Sequence, residues 1–331
     1  MSRLAPKGGK TTAELKRLSD ESEKDKPWDT HRATAQTVAQ AYRNAPADEQ
    51  RLQNYAKRVN ACAPWLRFNL NPNKETGEVV FKLDNAFFCR VRTCPVCQWR
   101  RSLMWKARMF ESLENIKEKH PAGRWLFLTL TVKNCEVTEV KNTLSEMGKA
   151  WKRLTERKEF SNVLGWVRTV EVTRNGSDDS AHPHFHVLLF VKSTYFKHGN
   201  YISADKWAGA WSACLRGGVY AHPTKSANIK AVKKDADGNI GGAVAEVMKY
   251  SVKPADMTDD QEWFLEITRQ LFRTRAIASG GVLKDLFKAE KSADELLKPD
   301  GGDDENEAGE AEEQLLFNWY REHKFYARRR S

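Results

Sequence analysis

No apolar run in the chain approaches the ~20 residues that a membrane helix needs, so a bilayer-spanning segment is not expected. The stretch from Met1 to Thr12 has basic residues but no apolar segment behind them, which argues against a secretory leader and for the cytoplasm. A complete phosphate-binding loop is also lacking. Gly9, Lys10 and Thr11 match the end of one, but Leu4 stands where the first glycine belongs and no strand precedes it, so an ATP-driven motor is excluded. Internal repeats are absent. Cysteine is scarce, with six in 331 residues, and uneven: Cys89, Cys94 and Cys97 crowd into nine positions, while Cys62, Cys135 and Cys214 lie apart. In a reducing compartment such crowding points to metal more than to disulfides.

What is present is a globular composition, 40% hydrophobic and 30% charged, on a chain long enough to bury a core. The net charge of +11 understates its basic character. Residues 300–313 hold eight acids and no base, and without them the rest carries +19. That surplus favours a polyanionic partner, because basic side chains release counterions from phosphates.

Periodicity divides the chain into a polar, loosely held leader (residues 1–50), a cysteine-rich zinc-ribbon-like element with a basic helix (51–118), a central domain (119–256), a helical extension (257–292), and an acidic linker with a basic tail (293–331). Within these, residues 66–88 read as a hairpin turning at Lys74 to Gly77, and residues 98–120 as a helix. Strands are expected at 125–132, 166–173, 184–191 and 229–232, and helices at 137–157, 204–215 and 242–251. Strands interleaved with helices imply an α+β fold, a sheet covered by helices on one face.

Three constellations could carry chemistry. In a strand, residues two apart share a face, so His184 and His186 point together while Phe185, Val187 and Leu189 face the opposite layer. Two imidazoles so placed make a bidentate metal platform. His182 precedes Pro183, and its role is either ligation or support of a ligand. Glu171 lies in the β-branched run Val170 to Thr173, where a carboxylate is out of place on propensity. It either joins the histidines at a metal or occupies a solvated face.

The second constellation is Glu246, Lys249, Tyr250 and Lys253. On a helix Glu246 and Tyr250 share a face, with the lysines beside them. A phenol titrates near pH ~10, so attack on phosphorus needs cations or a polarised phosphate. Glu246 could accept a proton from water or from the tyrosine. The third is Cys89, Cys94 and Cys97, with Cys62 upstream, where the spacing of Cys94 and Cys97 suits a thiolate zinc site. Around it Arg90, Arg92, Arg100, Arg101 and Arg108 interleave with Trp99 and Trp105, a mixture suited to phosphate contact and base stacking.

Together these motifs resemble the replication initiators of rolling-circle plasmids, in the HUH endonuclease superfamily, and the similarity runs from about Trp28 to Leu286. The stretch from Trp125 to Thr131 resembles the family's first strand motif, His184 to His186 its metal motif, and Glu246 to Tyr250 the nucleophile motif of the branch with one tyrosine and a glutamate. Residues 89–101 resemble that branch's basic cysteine-rich segment.

The resemblance implies a five-stranded antiparallel sheet with packed helices, and Mg2+ or Mn2+ at His184, His186 and Glu171, with Zn2+ at the cysteines. It implies that Tyr250 cuts one strand of plasmid origin DNA and stays on the 5′ phosphate, leaving a 3′ hydroxyl for a host polymerase, with a host helicase as a further partner. It implies that Glu246 activates the water that ends the round. A relaxase would place its tyrosine ahead of the histidines, and a transposase would carry a second tyrosine where Glu246 stands. A non-catalytic zinc-containing repressor would leave the His-Phe-His and Glu-Tyr pairings without a purpose.

Overall fold

Apolar alternation at the two ends of the chain builds one sheet and alternation in the middle builds another. The computed structural model describes residues 15–72, 79–197, 199–216, 227–232, 240–249, 252–286 and 313–329. Its first part runs β1 (Leu15–Arg17), α1 (Leu18–Glu21), α2 (Pro27–Arg43), α3 (Gln50–Asn60), β2 (Trp65–Pro72), β3 (Val79–Ala86) and α4 (Pro95–Lys119). The centre follows with β4 (Arg124–Thr131), α5 (Val140–Thr155), β5 (Val163–Arg174), β6 (Ala181–Val191), α6 (Ala204–Cys214), β7 (Ala227–Ala231) and α7 (Gly241–Val247). The chain ends with α8 (Gln261–Gln270), β8 (Ile277–Gly281), β9 (Glu313–Tyr320) and β10 (Phe325–Arg329).

The central sheet has five antiparallel strands in the order β7-β4-β6-β5-β8. Its inner strands read as near-continuous apolar runs because both faces are covered. Phe185, Val187 and Leu189 of β6 enter a core shared with Trp151 of α5 and Trp211 of α6. Leu188 and Phe190 enter a second core with Val244 and Val247 of α7 and Met109 of α4. The expected one-sided cover is therefore corrected: α7 and the far half of α4 close part of the other face, since Phe127, Val167 and Leu188 supply apolar anchors there too.

The fifth strand lies outside the expected central domain. β8 falls in the stretch read as helical, where among the described residues only α8 is a helix of more than one turn. Its glycines explain both the error and the strand. Trp166 packs where a Cβ on Gly280 would lie, and Gly281 has φ +62° against the Leu164 carbonyl.

The second sheet, β1-β10-β9-β2-β3, corrects both ends of the expected layout. The leader is not loose from Leu15 onward. Trp28, Ala35, Val38, Ala39 and Tyr42 recur at helical spacing along α2 and are buried, the small alanines serving as anchors that a count of large apolar residues misses. The basic tail is a hairpin: Leu315 and Phe317 of β9 and Tyr326 of β10 point into the main core, and β9 pairs with β2. β2 and β3 form the expected hairpin, while its turn and the acidic linker up to Glu312 lie outside the described residues. The cysteine-rich element is thus built into the sheet joining the chain's ends. No helix among the described residues is long and apolar enough to cross a membrane.

Candidate metal centre and its neighbouring helix

Three adjacent strands bring the first constellation together. Glu171 on β5 lies directly across from His184 on β6, and Thr129 on β4 and Thr169 on β5 flank His186. Paired residues share a face, so all five side chains stand on the side that α7 partly covers. His184 Nε2 lies 3.0 Å and His186 Nε2 2.8 Å from the same oxygen, Glu171 Oε2. The three residues are 8%, 8% and 6% exposed, and their ligand atoms all lie within 4.8 Å of one another.

The far side of each ring is held as well. His184 Nδ1 is 3.1 Å from the His182 carbonyl, which orients the ring with Nε2 toward Glu171. His186 Nδ1 lies 3.5 Å from Thr129 Oγ1, and Phe127 packs on its ring. His182 bonds Asn134 Oδ1 at 2.7 Å and holds His184 through its backbone, which favours the supporting role. Burial alone raises the Glu171 carboxyl. Hydrogen bonds and charge from His184 and His186 outweigh it and leave the group well below the usual carboxylate range. A buried carboxylate and two imidazoles, with their ligand atoms converging, suit a divalent cation.

α7 lies beside this centre. Thr169 Oγ1 donates a 2.7 Å hydrogen bond to the Val247 carbonyl, tying the end of α7 to the strand that carries Glu171. The expected helix to residue 251 is shorter: it stops at Val247 with Met248 as its cap. Val244, Val247 and Met248 use up the apolar stripe, the next position on that face is Ser251, and Thr169 occupies a terminal carbonyl. Glu246 sits half-buried on the last turn and pairs with Lys249. Lys253 is exposed, and its charge acts on Asp256, whose carboxyl is pushed up by burial. Tyr250 lies outside the described residues, so its expected shared face with Glu246 is not on view.

The cysteines converge as well. Cys62 follows α3, Cys89 follows β3, Cys94 caps α4 and Cys97 lies in its first turn. Cys62 Sγ and Cys89 Sγ each lie 3.6 Å from Cys97 Sγ, and all four sulfurs are buried within 4.8 Å of one another. A tetrahedral site with Zn–S near 2.3 Å would set sulfurs about 3.8 Å apart. Arg90 N–H, in a left-handed turn at φ +56°, donates to Cys97 Sγ at 3.3 Å, and Cys89 N–H to Cys62 Sγ at 3.5 Å. Hydrogen bonds from Cys62, Cys89 and Cys94 hold the Cys97 thiol well below its ordinary range, while hydrogen bonding with Cys89 pushes Cys62 up and burial pushes Cys94 up.

The basic residues around this cluster divide. Arg92 turns inward and donates to the Leu271 and Thr274 carbonyls at 3.1 and 2.6 Å. Arg100 is buried over Trp28 and Trp99, and Trp99 itself is buried against Trp28 and His31. Those three turn inward, a correction that follows from the backbone carbonyls before β8 for Arg92 and from Trp28 of α2 for Arg100 and Trp99. Arg90 is exposed, and Arg101 and Arg108 are partly so. Sequence reasoning missed Thr129, Asn134 and Thr169. The alternation Phe127, Thr129, Thr131 was a readable sign for the first, since those residues share the histidine face.

Comparison with known proteins matches residues 80–327 to a family model described as "Replication protein". The chain is 32% identical over 269 residues to "Protein rep" of Streptococcus pneumoniae serotype 2, covering 80% of each chain. It is 36% identical over 274 residues to "Protein rep" of Lactiplantibacillus plantarum, covering 79% of this chain and 84% of the relative. To a "Replication protein" of Staphylococcus aureus it is 35% identical over 223 residues, 64% of this chain and 93% of the relative. No solved structure matches the chain.

Proposed function

The chain belongs to the replication-protein family, and from that membership we propose that it is a plasmid rolling-circle initiator, a metal-dependent endonuclease that nicks one strand of the origin with Tyr250. The observation that carries this reading is the convergence of His184 Nε2 and His186 Nε2 on one buried oxygen of Glu171, beside the helix that bears Glu246. A repressor that only bound DNA would have no use for it.

In this reading His184, His186 and Glu171 hold Mg2+ or Mn2+, which when bound withdraws charge from the scissile phosphate. The Tyr250 oxygen attacks phosphorus, and the bond from phosphorus to the 3′ oxygen breaks. The phenolic proton passes to a base, the freed 3′ oxygen takes up a proton, and the 5′ phosphate remains on Tyr250. Lys249 and Lys253 favour the phenolate and the phosphate alike. In termination Glu246, ion-paired with Lys249, takes the proton from a water that attacks the regenerated site. Zn2+ at Cys62, Cys89, Cys94 and Cys97 is structural. Arg90, Arg101 and Arg108 contact phosphates. The 3′ hydroxyl passes to a host polymerase, with strand opening by a host helicase, in the cytoplasm.

The test is conversion of supercoiled origin plasmid to nicked circles with and without Mg2+ or Mn2+. Metal-dependent nicking that leaves protein on the 5′ end is expected. Origin binding with no cleavage under any divalent ion would favour the repressor.

A further inference from the structure

β5 carries three charged side chains, Arg168 and Arg174 on one face and Glu171 on the other. Glu171 faces the metal triad. Arg168 faces the other way, into the layer between the sheet and α5, where its neighbours Trp166 and Val170 on the same face are apolar. An apolar residue would be the stable choice there. Instead a guanidinium lies 4.0 Å over the Phe185 ring and 5.6 Å from that of Trp151, with the residue 9% exposed. Its Nε and Nη1 are sealed from solvent and have no hydrogen-bond partner among the described residues, which leaves Nη2 as the nitrogen at the surface. The buried Trp151 Nε1 beside it is also without a partner. The nearby charge is of the same sign: Arg275, exposed just before β8, acts with burial to pull the Arg168 guanidinium down to about 10.

Donors without acceptors, backed by a second cation, are the complement of an oxyanion. A buried cation held only by aromatic rings keeps much of its desolvation cost, and an anion reaching its exposed nitrogen would offset that cost. The turn leading to β8 is prepared for one. Arg92 pins its Leu271 and Thr274 carbonyls, and Arg51 and Arg273 lie over the Phe272 ring at 4.2 and 5.1 Å. We propose that Arg168, through the Nη2 that reaches the surface, forms with Arg275 a phosphate-oxyanion site at the β8 edge of the central sheet, on the face opposite the metal triad, and that it grips the backbone of the DNA strand. The DNA source rests on the function proposed above, while the oxyanion chemistry does not.

The full chain is tested in two arms, both without divalent metal so that no cleavage intervenes. One follows thermal unfolding in sodium phosphate against sodium chloride at equal ionic strength. The other follows anisotropy of a fluorescein-labelled single-stranded 20-mer against salt. Arg168→Met should melt higher than the wild type in chloride and lose the extra stabilisation by phosphate. Its log K against log salt should be shallower by about 0.7, one phosphate contact on a single strand. Arg275→Ala, at the surface and safe for folding, should weaken both responses without the gain in chloride. Loss in the phosphate arm alone supports the site with free phosphate as its ligand. Wild-type responses from both variants in both arms overturn it, whether or not the protein nicks DNA.

Discussion

The Thr169 hydroxyl holds the Val247 carbonyl at 2.7 Å, and through this bond the strand bearing Glu171 fixes the helix bearing Glu246. Strand and helix are far apart in sequence, and each contributes one half of the proposed chemistry. Thr169 is 4% exposed, so its partner has no water to fall back on. Thr169→Val keeps the shape and should cost about 1–3 kcal/mol in a urea melt, the penalty of a buried carbonyl left unsatisfied. Divalent-ion affinity should hold while nicking falls. A variant with reduced metal affinity would show that the bond serves the metal centre rather than α7.

His184→Ala and His186→Ala should each weaken Mn2+ binding by more than the ~10–100-fold typical of a supporting residue. Duplex origin binding should persist. Glu171→Gln removes the charge between the two rings and should shift the Mn2+ titration with partial loss of nicking. Calorimetric titration of Mn2+ into each variant measures this, and an unchanged titration in Glu171→Gln would leave Glu171 as a structural partner of the histidines.

Protein purified without added metal should carry about one zinc per chain, as four converging sulfurs imply. Arg92 ties this cluster to the turn before β8, so chelation should expose residues 271–276 to protease as well as loosen the start of α4. Elemental analysis and limited proteolysis test both points. A zinc-free protein with four titratable thiols and an uncut turn would refute them.

Burial lowers the His31 imidazole to about 4, against 6.5 when unfolded. The unfolded chain therefore binds the extra proton first. This contribution to stability is complete above pH 6.5 and is lost as pH falls from there toward 4, by at most about 1.4 kcal/mol per pH unit. Urea melts at pH 7, 6 and 5 should show the decline, and His31→Gln should flatten it. An equal decline in the variant would place the responsible proton elsewhere.

The central strands and the cluster of Glu171, His184 and His186 were legible because a single physical signal reported each. Two histidines two apart in an apolar strand can only share a face, and Glu171 was conspicuous among β-branched residues. The ends of the chain were not legible. β9 and β10 carry charges that read as a tail until Leu315, Phe317 and Tyr326 meet β2 and α2, a long-range pairing with no local sign. β8 was hidden for the opposite reason, since Ser279, Gly280 and Gly281 favour no strand until Trp166 packs over them. Arg92 and Arg100 looked like surface cations because their inward partners, backbone carbonyls in one case and Trp28 in the other, are distant in sequence.

The division of labour between Tyr250 and Glu246 gives the most direct test of mechanism. Tyr250→Phe removes only the attacking oxygen, so the covalent adduct on a 5′ end should vanish while origin binding survives. Glu246→Gln keeps the size and the position on α7 but loses the base and its ion pair with Lys249. The first cut should persist in that variant, because the nucleophile is intact. Hydrolysis of the regenerated site should slow by the ~10²–10⁴-fold that general-base help typically supplies. Plasmid products longer than unit length should then accumulate, readable on a denaturing gel. Glu246 sits on the last turn of α7, which ends at Val247, and pairs there with Lys249. A third variant, Lys249→Ala, therefore discriminates further: it should slow termination through Glu246 more than it slows the first cut. Loss of the first cut in Glu246→Gln, as complete as in Tyr250→Phe, would reassign Glu246 to activating the tyrosine.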